Sequence, residues 1–95
     1  MAHKLRVLTG RDSGRVFPLQ EGQTFVLGRD MGTHSRLKDP QVAMVHCEVL
    51  VSTEGVLLKD RASTGGTFVD GQRVSEHNLH PGDVFRIGDT KIQFE

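Results

Sequence analysis

Apolar side chains along this chain come in short alternating bursts, and no segment sustains a helical period for three turns. Leu5 and Val7, with Leu8 at the margin, mark a first strand that ends at Thr9-Gly10. Residues 14–19 read as a second strand, with Val16 and Phe17 on opposite faces. Residues 24–29 read as a third, in which Phe25 and Leu27 share a face. Residues 46–52 and 56–60 form an expected hairpin turning at Thr53-Glu54-Gly55. Along its first arm Cys47, Val49 and Val51 alternate with His46, Glu48 and Leu50. Thr67-Phe68-Val69 and Gln72-Arg73-Val74 flank Asp70-Gly71, a pair that suits the positive φ of a two-residue hairpin turn. Residues 79–83 are a further turn, and 84–87 with 91–94 close the chain as a hairpin around Gly88-Asp89. Residues 30–45 are the longest irregular stretch, with a short strand expected around 35–37. Loops this long in a compact domain usually carry function or move. Roughly ten short strands separated by Gly, Pro, Asp and Asn signals imply an all-β sandwich of two antiparallel sheets.

Composition narrows the class. Apolar residues make up 36% and charged ones 25% of 95 residues, a globular balance that fills one domain, residues 1–95. With no Trp or Tyr, Phe17, Phe25, Phe68, Phe85 and Phe94 are the expected large core pieces. The 12 Lys and Arg offset the 12 Asp and Glu, which argues against a general affinity for nucleic acid or an anionic membrane. Any anion recognition is therefore local. Cys47 is the only cysteine, so no intrachain disulfide forms, as suits a reducing compartment. No apolar run reaches the length of a membrane span. Met1-Ala2-His3-Lys4 lacks the apolar stretch of a secretion signal, so the cytoplasm is the expected location.

Candidate chemistry sits in three loop-end features. Gly28-Arg29 ends a strand and places a guanidinium at its tip; His46 begins a strand three residues after Ala43; Ser63-Thr64-Gly65-Gly66-Thr67 is a small-residue turn. In a sandwich whose strands reverse direction, alternate loops gather at one end, so these features can meet. An Arg fork, Thr hydroxyls and loop N–H groups together read phosphate or carboxylate. Plainer roles stand beside these. Arg29 can pair with Asp30 or Asp39, Gly65-Gly66 can simply be a turn needing positive φ, and Cys47 suits a small core position. The histidines at 3, 34, 46, 77 and 80 show no zinc spacing, and no Ser–His–Asp or paired-carboxylate arrangement is supported. No metal, no cofactor and no enzymatic activity are expected.

From about Lys4 to Phe94 the chain resembles the forkhead-associated (FHA) family. The residues that carry the resemblance are Gly28-Arg29, the segment Asp39-Pro40-Gln41-Val42-Ala43-Met44-Val45-His46, and the run from Asp60 through Ser63-Thr64-Gly65-Gly66-Thr67-Phe68-Val69 to Asp70-Gly71. Leu79, Gly82, Asp83, Ile87 and Gly88 complete the pattern. The resemblance implies an FHA/SMAD-like sandwich of two twisted antiparallel sheets with about 11 strands. It also implies loops that bind phosphothreonine in partner proteins. It assigns phosphate contact to Arg29, loop ordering to Thr64, and structural support to Gly28, His46 and Gly66. The family's phosphate-binding Ser is Ala43 here, its peptide-holding Asn is Gly65, and the basic residue that often follows the Ser is Met44.

A hydrogen bond to a charged group is worth about 1.5–3 kcal/mol and the amide clamp lost at Gly65 roughly another 1–3 kcal/mol, so the two losses together remove about 3–6 kcal/mol. A micromolar complex holds about 8 kcal/mol, which would leave millimolar binding or weaker. His34, Ser35, Arg36 and Lys38 follow Arg29 and are the candidates for compensating anion contacts. Two expectations result. One is a phosphothreonine-reading module of weakened affinity. The other is a phospho-independent scaffold or oligomerisation module with a vestigial phosphate site, its loop end made less polar by Ala43, Met44 and Gly65. Either way the expected partner is a protein, with no nucleic acid and no membrane, and the domain is expected to be part of a larger multidomain protein.

Overall fold

The computed structural model describes residues 3–95; the readings that involve Met1 and Ala2 lie outside the described residues. The elements in chain order are β1 (His3–Val7), β2 (Val16–Leu19), β3 (Thr24–Leu27), β4 (Cys47–Ser52) and β5 (Gly55–Asp60), then β6 (Thr67–Val69), β7 (Gln72–Val74), β8 (Glu76–Leu79), β9 (Val84–Ile87) and β10 (Thr90–Phe94). They form a six-stranded sheet in the order β2-β1-β10-β9-β6-β7 and a four-stranded sheet in the order β3-β4-β5-β8, antiparallel throughout. The sandwich expected from the alternation is therefore the fold.

The alternation also sets the core. Leu5 and Val7, Phe85 and Ile87, and Ile92 and Phe94 point inward from the larger sheet and meet Phe25, Leu27, Val49 and Leu58 from the smaller one. Each pair sits two residues apart, as period-two side chains must to share a face. Phe68 departs from the expected core set. It alternates with buried Thr67 and Val69, so it faces outward and is only half-buried, beneath the Arg86 guanidinium.

Two strand expectations are corrected. Residues 35–37 form no strand, because Arg36 adopts φ 47° and breaks the extended run. In place of a strand, the His34 N–H donates to the Val26 carbonyl and His34 Nδ1 accepts the Val26 N–H at 2.8 Å. A side chain thus stands in for a backbone acceptor and covers the open edge of β3. Conversely, β8 forms where alternation gave no sign. Only Leu79 of its four residues is fully buried, and pairing with β5 holds the rest. The described strands number ten, in line with the roughly ten read from the alternation, with the one at 35–37 lost and β8 gained.

Candidate functional site

The loop end begins where two backbones touch. A Cβ on Gly28 would stand 2.1 Å from the Met44 carbonyl oxygen and 3.1 Å from Thr33 Cγ2, so only glycine fits. This approach lets the Arg29 N–H donate to the Ala43 carbonyl at 3.2 Å and the Asp30 N–H to the Met44 carbonyl at 3.1 Å. One residue before β4, the His46 N–H donates to the Leu27 carbonyl at 2.8 Å. The Arg29 side chain is exposed, and its Nε donates to the Val42 carbonyl. Its Nη groups take no hydrogen bond among the described residues. The ion pairs considered with Asp30 and Asp39 do not form. Asp30 accepts the Gly32 N–H, and Asp39 accepts the N–H groups of Gln41 and Asp89.

His46 joins this segment to the next loop. It is fully buried, its Nδ1 accepts the Ala43 N–H at 3.0 Å, and its Nε2 lies 2.7 Å from the Gly66 carbonyl. A ring nitrogen that accepts from an amide carries no proton, so Nε2 holds the proton and donates to Gly66. Asp60, at the end of β5, organises the loop itself. Its Oδ1 accepts the hydroxyls of Ser63 (2.7 Å) and Thr67 (2.8 Å), and its Oδ2 the Ser63 N–H at 3.3 Å. Ser63 Oγ in turn accepts the Gly66 N–H at 3.1 Å, and Arg73 Nη2 donates to the Ser63 carbonyl at 3.0 Å. These bonds leave Thr64 and Gly65 at the exposed tip.

The paired glycines have different duties. Gly66 has φ +83° and lies so close to Arg73 that a Cβ would stand 2.7 Å from Nε. Gly65 has no positive φ, and a Cβ there would meet only Gln41 O at 3.7 Å and His46 Cε1 at 4.0 Å. The turn requires glycine at 66 and leaves room for a side chain at 65.

Neighbouring turns brace the long loop. Asp39 Oδ1 accepts the Gln41 N–H at 2.8 Å, while Oδ2 accepts the Asp89 N–H and the Thr90 hydroxyl, both at 2.8 Å. Buried Asp12 binds Arg15 at 2.8 Å and the Lys38 N–H at 2.7 Å, and Arg15 reaches the Ser35 carbonyl at 2.7 Å. Residues 10–12 carry only a turn signal in the sequence, and Arg73 only that of a strand residue. Asp12 reaches the Lys38 N–H across 26 positions and Arg73 the Ser63 carbonyl across 10, and neither contact leaves a local signal. Asp60 entered only as the start of the family segment; its Asp-x-x-Ser spacing, which favours a local side-chain-to-backbone bond, is the signal that could have found its role.

Burial works against the charge of Asp60, yet hydrogen bonds from Ser63 and Thr67 hold its carboxyl below the ordinary 3.8. Burial likewise opposes the charge of Asp39, and the N–H groups of Gln41 and Asp89, the Thr90 hydroxyl and nearby Arg11 hold it below 3.8. A carboxyl with a lowered folded pKa stabilises the fold fully above its unfolded pKa, and that stability is lost as pH falls through the folded value. Urea midpoints are therefore expected to stay level from neutral pH to about pH 5 and then fall steadily in acid. Asp39→Asn should flatten that acid slope. A midpoint that rises on acidification would contradict the assignment.

Among the compensating candidates, two are engaged by the protein's own backbone. His34 spends Nδ1 on Val26 and stacks on Phe25 with ring centroids 5.1 Å apart. Ser35 is fully buried, its Oγ accepting the Gly28 N–H at 2.9 Å and donating to the Gly28 carbonyl at 3.0 Å. Arg36 and Lys38 are exposed, although Arg36 Nε donates to the Met31 carbonyl at 3.0 Å. Met44 sits beside Ala43 with 49% of its surface open.

A family model described as the inner membrane component of T3SS, cytoplasmic domain, matches residues 6–95. A solved domain from a structural and functional analysis of phosphothreonine-dependent FHA domain interactions superposes with TM-score 0.90 and 34% identity, covering 100% of this chain and 96% of that one. The chain belongs to the forkhead-associated family. The FHA domain of FhaA, solved in complex with the intracellular domain of Rv3910, superposes with TM-score 0.87 and 34% identity, covering 98% of this chain and 99% of that one. FhaA from Mycobacterium tuberculosis is 39% identical over 80 residues, 84% of this FHA domain. The chain spans 15% of the length of FhaA.

Proposed function

We propose that this FHA domain is a non-catalytic, cytoplasmic protein-interaction module that binds phosphothreonine in partner proteins with weakened affinity. The observation that carries the reading is Arg29. It lies exposed with its Nη groups uncommitted and its backbone bonded to Ala43, which His46 ties to the Gly66 loop. A guanidinium held this way offers a bidentate fork to a phosphate. Thr64 stands at the tip of the facing loop, and the outward Arg36 and Lys38 are the compensating cations that remain. Solved FHA relatives with phosphothreonine-dependent interactions support the ligand class, and a matching family described as a cytoplasmic domain supports the location. Weakened affinity follows from Ala43 and Gly65, neither of which has a polar side chain to offer.

Titration of a phosphothreonine peptide by calorimetry is expected to give a Kd of about 0.1–1 mM or weaker, dependent on the phosphate. Arg29→Ala should remove that binding. Low-micromolar affinity would overturn the weakening. Equal binding of the phosphorylated and unphosphorylated peptides would overturn the phosphate reading. It would favour a phospho-independent scaffold, to which the exposed Met31 (76%), Met44 (49%) and Val45 (40%) on the long loop would contribute an apolar contact.

A further inference from the structure

The outer face of the six-stranded sheet carries charge that the fold does not neutralise. Strand register places Lys91 opposite Arg86, Arg86 opposite Phe68, and Phe68 opposite Arg73, in one row across four strands. Like charges directly opposite each other on neighbouring strands are destabilising. Among the described residues no carboxylate lies within ion-pair distance of Lys91, Arg86 or Arg73. Glu95 pairs with Lys4 and Arg6 on β1, the strand next to β10. In a chain with zero net charge this row is a local excess.

The same row borders an apolar hollow. A cavity of about 300 Å³ opens among Phe68, Val84, Phe85, Arg86 and Lys91, with Asp70 as its only lining carboxylate. The Arg86 guanidinium carbon lies 4.4 Å from the Phe68 ring centroid, so the cation is stacked and held in place at the rim.

We infer that this face is a second docking surface, separate from the loop end, for an acidic segment of a partner protein that carries one bulky apolar side chain. The apolar side chain enters the cavity over Phe68, and carboxylates beside it meet Arg86 and Lys91. An apolar floor ringed by cations matches such a segment better than a phosphodiester backbone, which has no apolar group to bury. Asp70 repels the acidic ligand at one rim. The surface does not depend on the phosphothreonine reading, because neither Arg86 nor Lys91 makes a hydrogen bond to the loop that carries Thr64 or to Arg29; Arg73 is left out of it, since its Nη2 donates to the Ser63 carbonyl.

The test is fluorescence anisotropy with a short labelled, unphosphorylated peptide of Asp and Glu around one central Phe, at low salt. Saturable binding is expected, with a Kd on the order of 100 µM that rises steeply with salt. Arg86→Glu with Lys91→Glu should weaken it about tenfold or more, while Arg29→Ala leaves it unchanged. Should the double variant unfold by circular dichroism, Lys91→Glu alone carries the same expectation. Asp70→Asn, which keeps a residue tolerant of the φ 50° found there, should tighten binding about two- to fourfold. Absence of saturable binding, or equal binding by the charge-reversed and native chains, overturns the inference. So does tighter binding of duplex DNA or of anionic phospholipid vesicles than of the peptide.

Discussion

Ala43→Ser combined with Gly65→Asn is expected to bind a phosphothreonine peptide about 100-fold more tightly than the native chain. Position 43 is already placed for the task. Its N–H is held by His46 Nδ1 and its carbonyl by the Arg29 N–H, so a serine hydroxyl would project from a fixed backbone beside the guanidinium. Position 65 has the space and an ordinary φ, so an asparagine enters without strain. Two bonds of about 1.5–3 kcal/mol each would sum to more than 100-fold, but neighbouring contacts on one ligand couple, and the lower figure allows for that. Calorimetry on native, single and double variants with one peptide reads the effect. If the native chain binds as tightly as the double variant, the affinity was never weakened, and Arg36 and Lys38 supply the missing contacts.

Gly28→Ala is expected to destabilise the domain by roughly 3–5 kcal/mol, out of the roughly 5–15 kcal/mol a domain of this kind holds. The added carbon would stand 2.1 Å from the Met44 carbonyl oxygen, where a carbon–oxygen contact needs about 3.3 Å. The 42–46 segment would have to withdraw by about 1 Å, and the amide bonds from Arg29 to Ala43 and from Asp30 to Met44 would stretch or break. Peptide binding should fall with stability, since Arg29 and Ala43 lose their common frame. Urea unfolding measures the first effect as a lower midpoint at unchanged slope. Gly65→Ala is the control and should stay within about 0.5 kcal/mol, because the added carbon meets nothing closer than 3.7 Å. Equal stability of the two alanine variants would refute the close-approach argument.

Much of the fold was legible because a sandwich strand writes its burial into the sequence at period two. Val49 and Val51, Phe85 and Ile87, and Ile92 and Phe94 are buried as alternation requires, and Asp70-Gly71 makes the predicted turn with both residues at positive φ. The failures lie where that signal is absent or ambiguous. β8 is a polar edge strand held by pairing with β5, so its alternation is nearly silent. Phe68 is aromatic on the outer face, where a cation stacked on it replaces core packing.

Residue type and local period were enough for most of the sheet-forming segments, though not β8, and for the family and the identities at Arg29, Ala43, Thr64 and Gly65. Tertiary structure alone decided how they are held. Gly28 is required by the Met44 carbonyl 16 residues on, rather than by any turn of its own. His46 bonds Ala43 and Gly66 from opposite sides of its ring, and Asp39 reaches Thr90 across 51 positions. His34 and Ser35, chemically able to meet an anion, are spent on the edge of β3 and on Gly28. A side chain's type is written in the chain, whereas which partner takes up its hydrogen bonds depends on distant backbone that only the folded sheets bring near.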